Sequence, residues 1–337
     1  MNIERGKALL PDNRLESTPG RDISWDILRA GAILYIVAYW HLCSYSIALQ
    51  SHSRFAELIT YCVLGLFCFL SGFLLSQRYA ISSRDDIIRF YRNRALRIYP
   101  MYFISLTTFL FFRYIDFRTY VKSVFLANMI LNQDLLTLWF VTMIFMCYLI
   151  TPVYLKSYGT RKTIVITVVV YALLVLIHIC THRIDLRLPQ YLPVFAFGII
   201  AGRSDSLRLF LTKRIVAWGG VLFSFAAWGF IHTTAEIPRM FVTDLAIFLI
   251  LPIFLVAGRM LSFVLNHQMV EMLSYASFAM YLVHRITFKI GVMIFQPVSF
   301  FISIIYFVGF LLPVTIAVAY GFQKMYDTLL EGIYLNW

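Results

Sequence analysis

The sequence predicts an all-α membrane protein, a polytopic helical bundle with about ten transmembrane helices. Hydrophobic residues make up 61% of the 337 residues, charged residues make up 14%, and the mean hydropathy is +0.78. Soluble domains carry about 25% charged residues, and a soluble chain of this length has no interior large enough for so much apolar surface. The same composition excludes a disordered chain, which is poor in apolar residues.

Apolar runs separated by short polar segments define the predicted spans. A helix needs about 20 residues to cross about 30 Å of hydrocarbon. The ten spans are predicted at 25–49, 57–76, 98–112, 135–155, 163–181, 190–202, 215–232, 241–258, 272–292 and 298–322. The stretch 120–133 is too short and too polar for an easy crossing. We interpret it as an interfacial or re-entrant helix, with an eleventh crossing as the alternative.

The distribution of positive charge predicts that both chain ends are cytoplasmic. Residues 1–24 form a predicted flexible cytoplasmic tail, 25–322 the membrane domain and 323–337 a cytoplasmic C-terminal tail. In this orientation 19 of the 29 Lys and Arg residues face the cytoplasm, 7 face outside and 3 lie within spans. Such a bias is typical of membrane topology, so the net charge of +12 requires no nucleic-acid partner.

Ionisable side chains inside the spans are the first candidates for chemistry, because each costs about 2.5–3.5 kcal/mol to insert. The first span carries Arg29 near its inner end and His41 twelve residues later, about 18 Å further along the helix. A snorkelling arginine and a core histidine are the alternatives for these two. The ninth span carries His284, Arg285 and Lys289, which indicates a polar cavity or a helix end close to the surface.

Four arginines lie just before the third span: Arg89, Arg92, Arg94 and Arg97. Guanidinium groups bind phosphates through two parallel hydrogen bonds. The cluster could therefore hold the phosphates of a nucleotide-bearing cofactor at the cytoplasmic surface. Topology signalling and contact with anionic lipids are the alternative.

Two shorter patterns are compatible with more than one role. Ser71 and Gly72, near the inner end of the second span, allow a ligand or another helix to approach closely. His178 and His182 are four residues apart, but no Glu joins them in a zinc-binding motif. We expect no metal site.

Five segments in this order resemble the acyltransferase 3 family of integral membrane acyltransferases: DILRAGAILYIVAYWH, FCFLSGFLL, RALRIYP, LWFVTMIFMCYLITPVYL and YASFAMYLVH. The resemblance covers about 25–322. The tripeptide at 71–73 matches the family's SGF element, and the spacing of Arg94, Arg97 and Pro100 matches its RxxRxxP element.

The first span departs from the family pattern of Arg, ten residues and His, because eleven residues separate Arg29 from His41. An offset of 11 places two residues about 20° apart on a helix, whereas an offset of 12 places them about 120° apart. We predict a π-bulge or a widened turn between Ala30 and Trp40, which would absorb one residue. The alternative is that one of the two has left the shared face.

Two further departures concern the base and its neighbours. Many relatives carry Glu or Gln in the run after Trp139, but here 143–146 is entirely apolar. If that side chain orients a base in those relatives, this chain needs another partner. Arg285 follows His284 where many relatives have proline.

The resemblance implies an enzyme that moves an acyl group, most often acetyl, from cytosolic acyl-CoA to a hydroxyl of a surface glycan or its lipid-linked precursor. It implies a bacterial inner-membrane protein. His41 would be the general base and Arg29 would bind or polarise the donor. The residues implied to hold the coenzyme are Arg94, Arg97, Arg92 and Ser71. Those implied to line the substrate cavity are His284, Tyr281, Trp139, Asp134 and Asp244.

Two other functions remain compatible with the sequence. A transporter of a glycan or organic anion also embeds Arg, Lys and His in its spans, although no half-to-half repeat with paired broken helices is evident. A non-catalytic subunit of polysaccharide assembly is the second. The sequence predicts no particular oligomeric state.

Overall fold

The computed structural model describes residues 22–49, 53–131, 135–156, 159–230 and 236–335. These residues form helices joined by short turns, with no β-strand among them. The α-helices are α1 Ile23–Leu34, α2 Leu42–Tyr45, α3 Arg54–Arg78, α4 Arg84–Phe111, α5 Phe117–Val124, α6 Trp139–Lys156, α7 Thr160–Thr181, α8 Arg187–Arg203, α9 Asp205–Leu211, α10 Arg214–Phe230, α11 Glu236–Leu261, α12 His267–Ile294, α13 Phe300–Ser303 and α14 Leu312–Leu335. Two π-helical segments, Tyr35–His41 and Ile304–Leu311, connect α1 to α2 and α13 to α14.

Every predicted span overlaps a helix, and the all-α membrane class is confirmed. Within the described residues, seven continuous helices are long and apolar enough to cross a membrane: Ile23–Tyr45, Arg54–Arg78, Leu136–Lys156, Thr160–Thr181, Glu236–Leu261, His267–Ile294 and Phe300–Gly332. The third, sixth and seventh predicted spans fall in α4, α8 and α10. The count of ten and the cytoplasmic termini stay predictions. Almost all of the predicted tail 1–24 lies outside the described residues.

The packing of α3 against α8 depends on glycines that leave room for the opposing backbone. A Cβ atom at Gly72 would overlap the carbonyl oxygen of Phe195, and one at Gly198 would overlap that of Phe69. Small residues at such contacts let two membrane helices approach until their backbones touch. Helix packing therefore accounts for Gly72, as one of the two interpretations of the Ser71–Gly72 pair predicted.

The stretch after α4 returns along that helix as the short helix α5. The hydroxyls of Tyr120 and Thr107 are 3.2 Å apart, and the Tyr99 hydroxyl donates to the Val124 carbonyl oxygen at 3.0 Å. The order of these contacts shows that α5 runs antiparallel to α4. With 8 residues, α5 is about 12 Å long, too short to cross a membrane. Helix α5 is therefore not an eleventh crossing, and the interfacial or re-entrant placement of 120–133 stays a prediction.

Helix α4, which carries the four arginines, begins at a capping box. The Ser83 hydroxyl oxygen accepts from the Asp86 backbone N–H at 3.2 Å, and the Asp86 carboxylate accepts from the Ser83 N–H at 2.9 Å. The Ser83 hydroxyl and then the backbone N–H groups of Ser83 and Ser82 lower the pKa of Asp86. The box fixes where the helix starts and therefore which face each arginine occupies.

Two basic side chains near helix ends satisfy carbonyl groups that have no partner within their own helix. Lys289 donates to the Phe112 carbonyl oxygen at 2.6 Å and lies 4.3 Å from the centre of the Tyr114 ring. Arg203 donates to the Tyr154 and Leu155 carbonyl oxygens at 3.1 and 2.6 Å. Cations stabilise C-terminal helix ends, so Lys289 has a structural explanation that does not require substrate.

We expect Gly198→Ala to lower the melting temperature of the protein in detergent, because the added methyl group pushes α3 and α8 apart. Overpacking of this kind costs about 1–3 kcal/mol. The matched control is Gly219→Ala in α10, where nothing lies within 4 Å of the added Cβ. The control should melt at or slightly above the wild-type temperature, since alanine favours helix over glycine. Equal melting temperatures for the two variants would contradict the close α3–α8 packing.

Candidate active site

The first helix contains the widened turn that the spacing of Arg29 and His41 predicts. Tyr35–His41 is π-helical, and the Leu42 N–H bonds to the Val37 carbonyl oxygen five residues back. A π segment absorbs one residue without displacing the helix on either side of it. The prediction is confirmed, and the segment turns His41 back toward the face that an offset of 11 would give it.

His41 lies against His284 of α12. The Nδ1 atom of His41 is 3.1 Å from the Nε2 atom of His284, and the two rings stack with centroids 4.8 Å apart. The His284 side chain is fully buried and His41 is 8% exposed. The His284 Nδ1 atom is 3.0 Å from the Met280 carbonyl oxygen, one helical turn earlier. The two imidazoles and this carbonyl form a continuous hydrogen-bonded row.

Aromatic side chains surround the row. The Tyr281 ring lies 5.9 Å from His284 and 5.7 Å from Phe140, and the Phe288 ring lies 5.7 Å from His284 on its other side. The Tyr281 hydroxyl donates to the Thr137 carbonyl oxygen, two residues before Trp139. The rings pack around His284, and the tyrosine ties it to the start of α6.

A second contact joins α1 to α12 nearer their N-termini. The Ser274 hydroxyl donates to the Asp26 carboxylate at 2.6 Å, and both residues are buried. His284 is ten residues beyond Ser274, so the imidazole pair lies about 15 Å further along α12. Arg29 follows Asp26 by three residues and shares its face of α1.

A guanidinium cluster lies at the level of this second contact. The charges of Arg94, Arg78 and Arg29 act on Arg97, and the Asp327 carboxylate opposes them. Arg97 is exposed to solvent. The structure thus brings together three of the four arginines that sequence analysis assigned to the donor, without Arg92, and it adds Arg78.

One hydrogen-bond donor of Arg94 pairs with no described residue. Its Nη2 atom donates to the Tyr79 hydroxyl at 2.8 Å, and its guanidinium lies 5.2 Å from the centre of the Tyr79 ring. Its Nε atom is buried with no hydrogen-bond partner among the described residues. Buried donors are normally paired, so an incoming acceptor would complete the site. Arg92 is exposed and lies about 140° around α4 from Arg97.

Helix α14 reaches this cluster from the C-terminal end of the chain. The Asp327 carboxylate accepts from the Tyr275 hydroxyl at 2.6 Å and from the Gln323 amide at 3.1 Å. The Tyr326 hydroxyl donates to the Leu96 carbonyl oxygen. The helix runs unbroken through the predicted boundary at residue 322 and packs against α4 and α12.

A second polar group lies at the start of α6. The Arg187 guanidinium donates two parallel hydrogen bonds to the Asp185 carboxylate, from Nε to Oδ1 at 2.9 Å and from Nη2 to Oδ2 at 2.5 Å, and lies 4.4 Å from the centre of a Trp139 ring. The Tyr191 ring stacks on Trp139 with centroids 6.2 Å apart. Trp139 is therefore held between an ion pair and an aromatic ring.

The acyltransferase-domain model of the acyltransferase 3 family matches residues 22–323. The chain belongs to the acyltransferase 3 family. No curated protein and no solved structure matches it. The matched range includes the imidazole row and all four arginines of the guanidinium cluster, whereas Asp327 lies beyond it.

The positions of the remaining candidate residues of this acyltransferase say less about their roles. Asp244 is buried and accepts from the Tyr171 hydroxyl at 3.2 Å, while its Oδ1 atom has no hydrogen-bond partner among the described residues. Ser71 is half-buried on α3. Asp134 lies outside the described residues. Among the described residues, no group of three or more His, Cys, Asp or Glu side chains could hold a metal ion.

Sequence analysis missed four participants: Arg78, Asp185, Arg187 and Asp327. The signal for Asp185 and Arg187 was available in their spacing at the start of a helix, where an acidic side chain bonds free N–H groups. Arg78 and Asp327 come from segments distant in the sequence, and only the packing of α14 shows that they act on the same site.

We expect deletion of Ala38, at the centre of the π segment, to leave the melting temperature close to that of the wild type. The deletion converts the π-helical turn into an α-helical one and leaves both flanking helices in place. The control is deletion of Ala32 in α1, which rotates everything beyond it by about 100°. That variant should melt lower or fail to accumulate. Equal loss in both deletions would contradict the role assigned to the π segment.

Proposed function

We propose that this acyltransferase moves an acetyl group from cytosolic acetyl-CoA to a hydroxyl of a surface polysaccharide or its lipid-linked precursor, in the inner membrane of a bacterium. The observation that carries the proposal is the buried row of His41 and His284, placed about 15 Å along α12 from a solvent-reached guanidinium cluster. A base and an anion site at this separation suit a donor with phosphates at one end and a thioester at the other.

The guanidinium cluster supports a coenzyme A donor. Coenzyme A is a polyanion, so its phosphates stay at the membrane surface while its pantetheine arm enters between the helices. Arg94 and Arg97 hold phosphate oxygens, and the Arg94 Nε donor gains the partner it lacks in the described residues. Arg29 belongs to this cluster and binds the donor from the first helix, on the side of the phosphates.

The imidazole supplies the acid–base step. His41 takes the proton of the acceptor hydroxyl as the hydroxyl oxygen bonds to the thioester carbonyl carbon. The carbon–sulfur bond then breaks, and the departing thiolate takes the proton from the imidazolium. The products are an oxygen ester and free coenzyme A, and His41 returns to its neutral state.

The start of α6 supports an acceptor site beyond the imidazoles. In the predicted orientation Trp139 and the Arg187–Asp185 pair lie on the outer side of the membrane. Tyr281 links this region to the imidazole row through Thr137. An aromatic face with a charged pair is suited to a sugar that offers both apolar C–H groups and hydroxyls.

We expect His41→Ala to lose at least about 100-fold of the acetyl transfer, because general-base catalysis contributes 10²–10⁴-fold. Membranes from producing cells are incubated with radiolabelled acetyl-CoA, and hydroxylamine-labile label on the glycan fraction is counted. The matched control is His267→Ala, an exposed histidine whose ring bonds the Ser262 carbonyl oxygen at 2.9 Å. The control should keep wild-type transfer.

Two results of that assay would contradict the proposal. Full acetyl transfer by His41→Ala would show that His41 is not the general base. Absence of ester label from the wild type, with accumulation of glycan across the membrane instead, would favour a transporter.

We expect Arg97→Ala to weaken binding of acetyl-CoA about tenfold, since a hydrogen bond to a charged group contributes about 1.5–3 kcal/mol. Titration calorimetry on the purified protein measures this change. Arg92→Ala is the control, because it removes the same charge from another face of α4 and should change the affinity less than twofold. If both variants lost the same affinity for acetyl-CoA, the cluster would act only through net charge, and a specific phosphate site at Arg97 would be contradicted.

A further inference from the structure

Two hydrogen bonds assign the protons on the buried imidazole row. A backbone carbonyl oxygen only accepts, so the His284 Nδ1 atom, 3.0 Å from the Met280 oxygen, must carry a proton. The His284 ring is fully buried and the positive charge of Arg285 acts on it, so a second positive charge on the ring is costly. The neutral ring therefore has no proton on Nε2, and that nitrogen accepts.

The same logic extends to the second ring. The acceptor Nε2 of His284 is 3.1 Å from the His41 Nδ1 atom, which must then be the donor. A neutral His41 that keeps its proton on Nδ1 has a lone pair on Nε2. The row thus runs from the His41 Nδ1–H to His284 and from the His284 Nδ1–H to the Met280 oxygen.

We propose that His284 is a positioning residue that fixes the proton of His41 on Nδ1 and so makes Nε2 the basic nitrogen of the acyl transfer. This inference rests on the proposed function, in which His41 is the base. When Nε2 takes the hydroxyl proton, the positive charge on His41 is stabilised by the hydrogen bond to His284, whose own N–H is held by the carbonyl. The two Nδ1 protons stay in place, and the proton gained on the His41 Nε2 atom passes on to the thiolate.

A neutral orienting group suits this part of the chain. The run 143–146 on α6 is apolar, so it offers no carboxylate to the base. An imidazole paired with a backbone carbonyl gives the same orientation without a permanent negative charge in the membrane interior. The π segment that turns His41 toward α12 serves this contact directly.

The mutational test uses two variants that differ only in the acceptor. Gln at 284 can place its amide oxygen near the position of Nε2 and accept from His41, whereas Leu fills a similar volume without an acceptor. We expect His284→Leu to lower kcat about 100-fold or more, with the KM for acetyl-CoA within about twofold of the wild type. The kcat of His284→Gln should be at least about tenfold higher than the kcat of His284→Leu. A wild-type kcat in His284→Leu, or equal losses in both variants, would overturn the proposal.

A spectroscopic measurement tests the tautomer without turnover. Nitrogen-15 NMR of histidine-labelled protein in detergent micelles, with His41→Ala used to assign the signals, reports which ring nitrogen carries the proton. We expect a protonated Nδ1 on His41 in the wild type and loss of that state in His284→Leu. A proton on the His41 Nε2 atom in the wild type would overturn the inference. Full activity of His41→Ala would instead contradict the proposed function, so the two failures are distinguishable.

Discussion

The hydrogen bond between the rings of His41 and His284 is the contact on which the site depends. A buried polar group without a partner destabilises the folded state by about 1–3 kcal/mol, so a lone imidazole inside a membrane bundle would destabilise it. Pairing satisfies both rings, and the Met280 carbonyl completes the row. The pairing in turn requires that α1 and α12 lie side by side, which the Asp26–Ser274 hydrogen bond secures nearer their N-termini.

The separation of charge along these two helices follows from the cost of burial. The guanidinium cluster lies where Arg97 is exposed, and the two histidines deeper in the bundle pair with each other. A donor with charged phosphates at one end and an uncharged pantetheine arm fits this arrangement. In the proposed function, the phosphates never leave the surface, and only the thioester travels to the base.

Hydropathy predicted the helices well, because helices that face lipid are built from long runs of apolar residues. The offset of twelve between Arg29 and His41 predicted the π segment, because helical geometry leaves few ways to absorb one residue. The pairing of His41 with His284 was not predicted beyond a shared cavity, since nothing local to either span specifies its neighbour. The approach of Asp327 to Arg97 was missed for the same reason, as it depends on where α14 packs.

The most direct test of the central claim is a cryo-electron microscopy structure of the protein in lipid nanodiscs with a non-hydrolysable acetyl-CoA analogue. The account predicts phosphate oxygens within hydrogen-bond distance of Arg94 and Arg97, and the acetyl carbonyl carbon within about 3–4 Å of where an acceptor oxygen would meet the His41 Nε2 atom. A map in which the phosphates bind elsewhere, or in which protein fills the space between the arginines and the imidazoles, would contradict it.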